Sequence, residues 1–251
     1  MTILDEKRIL ATLGREVPIE IVEETGSTND DLKAAARAGA ADYTVLIAKR
    51  QLGGRGREGR SFHSEGGLYM SVLLPRREES CAFITHIAAI AVALAIRSVA
   101  REEAMVKWVN DVYVGGRKVS GILTESVVVG DSRRLVVGIG VNVNLAVEDF
   151  PEELREIVGV IACDASDLAG EILRELFARI ERFSLDSIRR DYRELSFLIG
   201  ERVVVLRLNG EREGTAIGFS EALGLVVRYD DGSTEELISG EVRLKLKSAT
   251  R

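Results

Sequence analysis

The stretch Lys49-Arg50-Gln51-Leu52-Gly53-Gly54-Arg55-Gly56-Arg57-Glu58-Gly59-Arg60 carries five cationic side chains against one carboxylate, in a chain whose net charge is -6. Glycines without a Cβ let backbone N–H groups approach oxyanions closely, and arginine forks bind carboxylate or phosphate in a bidentate manner. The chemistry this suits is recognition of an anion such as an acyl phosphate. A solvated basic turn or an RNA-binding Arg-Gly tract is the competing reading of the loop alone. Against it, the loop leaves an apolar strand directly, as functional loops on rigid scaffolds do, and Arg-Gly tails are longer and repeated. No Gly-x-x-x-x-Gly-Lys-Ser/Thr occurs, which excludes a P-loop.

Two lysines form a second constellation, in Lys107-Trp108-Val109-Asn110-Asp111 and Lys118-Val119-Ser120-Gly121-Ile122-Leu123. A tight hairpin at Gly115-Gly116 would bring Lys118 back across Val112 to Val114, so that both ammonium groups converge. Point charges there would offset charge developing on a phosphate. Taken singly, either lysine reads better as an exposed hairpin residue than as a phosphate-directed one. A third segment, Gly138-Ile139-Gly140-Val141-Asn142, alternates small and apolar residues. One of its faces is open to a flat ligand, with Asn142 offering hydrogen bonds, although a glycine-weakened core strand fits as well.

The elements that must position these residues follow from period and punctuation. Helical spacing is read at 4–13, from Ser27 or Thr28 to Ala38, through the apolar run from Cys81 to about Arg101, at 151–158 and at 165–195. Strands are read at Pro18–Val22, Thr44–Ala48, Leu68–Leu74, Val106–Trp108, Val112–Val114, Gly121–Val129 and Leu135–Asn142. Beyond about Phe197 the chain turns all-strand, with Val203–Leu208, Thr215–Phe219, Leu225–Tyr229 and Val242–Leu246 separated by turn signals. The expectation is an α+β fold: a mixed-sheet domain with flanking helices over residues 1–197, and a small β-barrel over 198–251.

Whole-chain properties bound the rest. The chain has 251 residues, 46% hydrophobic and 29% charged, which is ordinary for a globular protein of one large domain with a small appendage. Its acidity argues against a general nucleic-acid surface. Two cysteines without Cys-x-x-Cys spacing and two histidines point to a reducing cytoplasm and no zinc site. The N-terminus lacks an export pattern, and Thr85 and His86 interrupt the most apolar run, so no membrane association is expected.

Taken together, Ser27-Thr28-Asn29, Gln51-x-x-Gly54-Arg55-Gly56-Arg57-x-Gly59-Arg60, Gly66-Gly67-Leu68, Lys107-Trp108-x-Asn110-Asp111, Arg117-Lys118-x-x-Gly121-Ile122-Leu123 and Gly138-Ile139-Gly140-Val141-Asn142 resemble the biotin protein ligases in order and spacing. The resemblance implies a class II synthetase-like catalytic domain with an SH3-like C-terminal barrel. It implies ATP and biotin as substrates with Mg2+, biotinyl-5′-AMP as intermediate, and the lysine of a biotin carboxyl carrier protein as acceptor. Carried over by residue, Ser27, Thr28, Asn29 and Gln51 line the biotin ureido pocket. Arg55, Gly56 and Arg57 meet the biotin carboxylate end and the phosphate. Gly54, Arg60, Phe62, Asn110 and Asn142 belong with the nucleotide. Lys118 acts at the α-phosphate and with Arg57 and Lys107 forms the catalytic set.

Two departures stand out: Val109 replaces the family's usual proline, implying a less rigid turn, and Phe62 replaces its usual tryptophan as the aromatic lid. Some members carry an N-terminal DNA-binding domain. The roughly 26 residues before Ser27 are too few for one, so no DNA binding is expected. Exposed strand edges make a homodimer the assembly to test. A lipoate ligase of related fold and a vitamin-sensing binding module are the alternatives; phosphate-directed lysines argue against the second.

Overall fold

A computed structural model describes residues 3–59, 62, 65–207 and 210–245. Seven strands form a mixed sheet in the order β1-β2-β3-β7-β6-β5-β4: β1 (Ile19–Thr25), β2 (Val45–Gln51), β3 (Glu65–Pro75), β4 (Ala104–Lys107), β5 (Asp111–Val114), β6 (Arg117–Val129) and β7 (Ser132–Val141). The β1–β2 pair is parallel, joined through α2 (Thr28–Arg37), and the other ladders are antiparallel. The hairpin between β5 and β6 turns at Gly115 and Gly116, both with positive φ, and brings Lys118 opposite Tyr113 as expected.

Strand alternation assigns successive residues to opposite faces, and the packing follows it. Leu46, Leu73 and Val136 meet Leu32 and Ala36 of α2 on one face. Their neighbours Val45, Ile47, Val72, Leu74, Leu135 and Val137 face the main core on the other. That core is filled by α1 (Glu6–Leu13), α4 (Ile84–Val99), α5 (Ala165–Glu181) and α6 (Leu185–Leu195), with the short α3 (Glu78–Cys81) leading into α4. The apolar run becomes the buried helix α4, and no helix among the described residues is long and apolar enough to cross a membrane.

Five strands form a second, antiparallel sheet: β8 (Arg202–Arg207), β9 (Gly210–Phe219), β10 (Leu225–Tyr229), β11 (Thr234–Leu237) and β12 (Glu241–Leu244), in the order β11-β10-β9-β8-β12. No ladder joins its outer strands β11 and β12 among the described residues, so the sheet is open. Its buried residues, Val203, Val205, Ala216, Leu225 and Val227 among them, belong to the same apolar cluster as α4 and α5.

Three expectations change. The segment 151–158 is not a helix: only Glu152–Leu154 makes a single 3-10 turn. The backbone then pairs with Lys118, whose N–H donates to the Ile157 carbonyl at 2.9 Å while Gly159 N–H donates to the Lys118 carbonyl at 2.8 Å. The expected helix 165–195 breaks at Arg182 to Ser184, where the Ser184 side chain caps α6. Strand β11 was not foreseen, because Thr234–Leu237 has neither alternation nor β-branched enrichment beyond one threonine. The expected strand ends Leu208 and Leu246 lie outside the described residues.

Candidate active site

β2 runs on through Gln51, so Lys49 and Arg50 are strand residues rather than loop residues. Their charges turn to the neighbouring strand: Lys49 Nζ is 2.6 Å from Glu23, and Arg50 pairs with Glu24. These two of the five cations are therefore committed to β1. Arg55 is likewise paired, at 2.6 Å from Asp30 in the first turn of α2. This guanidinium, with help from Lys33 and against a smaller effect of burial, holds the Asp30 carboxyl down to about 2. Arg57 reaches across the cleft, toward Asn110 Oδ1 and the Gly240 carbonyl at 3.4 Å each. Arg60 lies outside the described residues.

The loop is anchored at its start. Leu52 and Gly53 N–H groups donate to the Thr25 and Gly26 carbonyls at 2.9 and 2.8 Å, and Phe62 N–H donates back to Gly54 at 2.8 Å. These bonds bring Gln51 beside the N-terminus of α2. There the Gln51 side-chain oxygen accepts from Thr28 N–H at 2.8 Å and from Thr28 Oγ1 at 3.0 Å. Ser27 occupies the N-cap position of α2 but its hydroxyl makes no capping bond. Side-chain caps ordinarily satisfy these donors; here Gln51 does so, and the Ser27 hydroxyl remains on the cavity wall.

The cleft, with about 990 Å³ of empty space counting its mouth, brings Ser27, Thr28, Asn29, Gln51, Arg55, Gly56, Arg57, Phe62, Lys107, Asn110 and Lys118 together. Of the residues expected at the site, Gly54 and Asn142 do not line it. Gly54 is a buried residue of the loop. The Asn142 amide N–H donates to the Gly159 carbonyl at 3.0 Å, tying β7 to the 157–161 segment, while its Oδ1 is buried with no hydrogen-bond partner among the described residues.

Asn29 is held from three sides. Its amide donates to Glu125 at 2.7 Å and to the Leu123 carbonyl at 3.3 Å, and its oxygen lies 2.6 Å from Ser71 Oγ. Ser71 Oγ is also 2.7 Å from Thr28 Oγ1, so a fully buried serine on β3 joins the first two residues of α2, Thr28 and Asn29. Glu125 in turn takes Lys33 at 2.8 Å. Gly138 permits this approach, since a β-carbon there would fall 2.4 Å from Asn29 Oδ1.

Two residues along β7, Gly140 gives its space to Phe62: a β-carbon would fall 2.7 Å from that ring. The ring rests on Gly140 and on Gly121 across the ladder, edge-on to Tyr69 at 6.3 Å. The expected aromatic lid thus lies against the glycine floor of the cleft.

The cationic end is built by β4, β5 and β6. Lys118 Nζ is 2.7 Å from Asp111, which lies two residues along β5 from Tyr113, the ladder partner of Lys118. Lys107 is half-buried, and burial pulls its pKa below the ordinary lysine value, against attraction from Asp111 and Glu241. Asn110 is fixed by donation from its side chain to the Ile122 carbonyl at 3.0 Å. The turn between these groups is pinned by buried aromatics: the Tyr192 hydroxyl donates to the Val109 carbonyl at 3.1 Å, and the Trp108 indole N–H donates to the Leu223 carbonyl at 3.0 Å. The Trp108–Val109 peptide is cis. Gly240, Glu241 and Val242 complete the wall from the second sheet.

Sequence reasoning missed Ser71, Asp111, Glu125 and the 240–242 wall. A lone serine inside the apolar run of β3 was the one available signal, because a polar group in a buried strand must be satisfied by something. The arrangement has one end lined by short neutral polar groups and another lined by cations. It suits a ligand with a compact hydrogen-bonding head and an anionic tail.

Comparison with known proteins places this cleft in context. Residues 22–142 match the family model described as the biotin/lipoate A/B protein ligase family. The chain is 30% identical over 244 residues to the bifunctional ligase/repressor BirA of Bacillus subtilis, covering 90% of this chain and 72% of that protein. It is 34% identical over 200 residues to the biotin–[acetyl-CoA-carboxylase] ligase of Mycobacterium tuberculosis, covering 74% of each. Among solved structures it is similar to the Aquifex aeolicus biotin protein ligase in complex with biotin and ATP, with TM-score 0.76, 28% identity, and coverage of 92% of this chain and 99% of that one. It is also similar to the Leishmania major biotin protein ligase in complex with biotinyl-5-AMP, with TM-score 0.66, 25% identity, and coverage of 88% and 99%.

Proposed function

The chain belongs to the biotin protein ligases, within the biotin/lipoate A/B protein ligase family, and from that premise we infer that it joins biotin to a carrier-protein lysine at the expense of ATP. Biotin's carboxylate oxygen attacks the α-phosphorus of ATP, the bond to the β-phosphate breaks, and biotinyl-5′-AMP and pyrophosphate form. The deprotonated ε-amine of the carrier lysine then attacks the acyl carbon, the bond to the phosphate oxygen breaks, and AMP leaves as the amide forms.

The observation that carries this reading is the polarity of the cleft. Ser27, Thr28 and Gln51 stand at one end and Arg57, Lys107 and Lys118 at the other, on walls of one cavity. A buried urea needs donors and acceptors on both its faces, which hydroxyls and a carboxamide supply. Asn29, whose amide is committed to Glu125 and Leu123, acts by holding Thr28 and Ser71 in place. The dithiolane of lipoate would leave these polar groups unpaired in a buried site, at a cost that favours biotin.

Both steps build negative charge around the α-phosphate, so cations aimed there lower the barrier. Lys118 meets that charge by exchanging Asp111 for phosphate oxygen, with Arg57 closing from the loop and Lys107 supporting from β4. Phe62, Arg55 and Gly56 belong with the adenylate, and Arg60 is carried in the same loop. Magnesium would enter with the ATP substrate, and Asp111 and Glu241 are the carboxylates on the cleft wall that would be available to it.

We further read residues 1–197 as the catalytic domain and 198–251 as a small SH3-like domain that contributes the 240–242 wall, and a cytoplasmic homodimer as the working assembly. Biotin-dependent exchange of labelled pyrophosphate into ATP by the purified protein, with lipoate in parallel, tests the activity. Exchange with biotin supports it; exchange with lipoate alone, or with neither acid, overturns it.

A further inference from the structure

The transfer step demands that a second macromolecule reach into the cleft. A lysine ammonium lies at the end of a flexible four-carbon stem, roughly 6 Å from its Cα, so the carrier's backbone must come down onto the rim. Two large apolar side chains stand in water at that rim. Leu52 is 69% exposed and directly follows Gln51, whose side chain lines the cavity. Backbone bonds from Leu52 and Gly53 to Thr25 and Gly26 fix its position. Ile238 is 81% exposed and lies two residues before Gly240, which also lines the cavity and whose carbonyl Arg57 reaches. Both side chains stand outside the fold's core, and each directly follows a strand of a different sheet.

We propose that Leu52 and Ile238 form an apolar docking rim for the folded carrier domain that presents the acceptor lysine. The proposal rests on the ligase reading, because the transfer step is what brings a carrier to this mouth. Exposed large apolar residues that recur around one opening mark protein contact, whereas singly scattered ones carry no such meaning. Val128 is of the scattered kind: it is 55% exposed at the far end of β6, beyond Leu123 of the cleft wall by about 17 Å at strand rise.

The test compares Leu52→Glu, Ile238→Glu and the control Val128→Glu in the full chain, by two measurements. Pyrophosphate exchange, which needs no carrier, is expected within about twofold of wild type for all three, since none of these side chains lies in the cleft. Steady-state transfer to a purified biotin carboxyl carrier domain is expected to show a KM for carrier raised about tenfold by either rim variant, unchanged by the control, with kcat kept. An unchanged carrier KM in both rim variants overturns the proposal, as does an equal rise in the control. So does a rim effect matched by a shift in sedimentation of the free enzyme, which would make the patch a contact between copies of this chain. Failure of exchange in wild type is a separate result, and it overturns the ligase reading itself.

Discussion

Adding one methyl group at Gly138 should dismantle the polar end of the cleft from behind. A β-carbon there falls 2.4 Å from Asn29 Oδ1, 3.0 Å from its Cγ and 3.1 Å from its Nδ2. The amide has no slack to retreat, since it is bonded to Glu125, Leu123 and Ser71 on its other sides. Gly138→Ala therefore ejects Asn29 or forces β7 outward. Losing a charge-assisted bond at about 1.5–3 kcal/mol and a neutral one at about 1 kcal/mol gives roughly 2–4 kcal/mol of destabilisation. In a protein of this size that lowers Tm by roughly 5–15 °C. Thr28 loses its fixed neighbour as well, through Ser71. Biotin affinity should fall by about tenfold or more, the equivalent of one misplaced hydrogen bond. Calorimetric melting and titration with biotin read the two effects separately. The paired variant Gly140→Ala meets only the Phe62 ring, on a half-exposed loop, and should keep its Tm within about 3 °C. A Gly138→Ala protein with wild-type melting and biotin affinity would refute the reasoning.

Lys118→Ala should slow biotinyl-adenylate formation by about 10²–10³-fold while biotin affinity stays within about threefold, because the ammonium acts on charge that appears in the transition state; equal loss of both would contradict that role. Tyr192→Phe leaves the Val109 carbonyl buried and unpaired, so it should cost about 1–3 kcal/mol in urea midpoint and lower kcat more than it raises biotin KM; an unchanged kcat would remove Tyr192 as a positioning residue. His86 is buried against the Tyr192 ring with no hydrogen bond of good geometry at either nitrogen, and burial, against a smaller opposing pull from the Leu223 backbone, brings its pKa down to about 4. The unfolded chain protonates at about 6.5 and the folded one at the lower value, so this contribution is intact above about pH 6.5 and is lost as pH falls toward 4. Its size is up to about 3 kcal/mol. Urea midpoints across that window should fall less steeply in His86→Phe than in wild type, and parallel slopes would contradict the assignment.

The site was legible where its residues cluster along the chain. The Ser27–Asn29 turn, the Gln51–Arg57 stretch and the two lysines are short motifs whose spacing already implies convergence, and the Gly115-Gly116 turn supplied the register that brings Lys118 to Asp111. Sheet order and domain packing are long-range properties, and what depended on them stayed hidden. Ser71 and Glu125 meet Asn29 only because β3, β7 and β6 are neighbours in that order. Gly240 to Val242 reach the cleft only because the second sheet shares its core with α4 and α5. The segment 151–158 has helical spacing, yet pairing with the backbone of Lys118 competes successfully for its polar groups. Asn142 was given to a ligand because it ends a glycine-rich strand, while its amide is consumed by Gly159.

The pairing of Lys49, Arg50, Arg55 and Lys118 with carboxylates has a consequence for how substrates arrive. From solution each pair is a dipole, whose field decays faster than that of a lone charge, and the screening length in physiological salt is about 8 Å. A triphosphate approaching a molecule of net charge -6 is therefore not drawn in from afar. Its encounter rate should change little between about 0.05 and 0.2 M salt, and a steep fall in stopped-flow association over that range would show steering instead. Attraction begins at contact, when phosphate oxygens displace carboxylates from cations already in place, so discrimination among anions occurs inside the cleft rather than on the way to it.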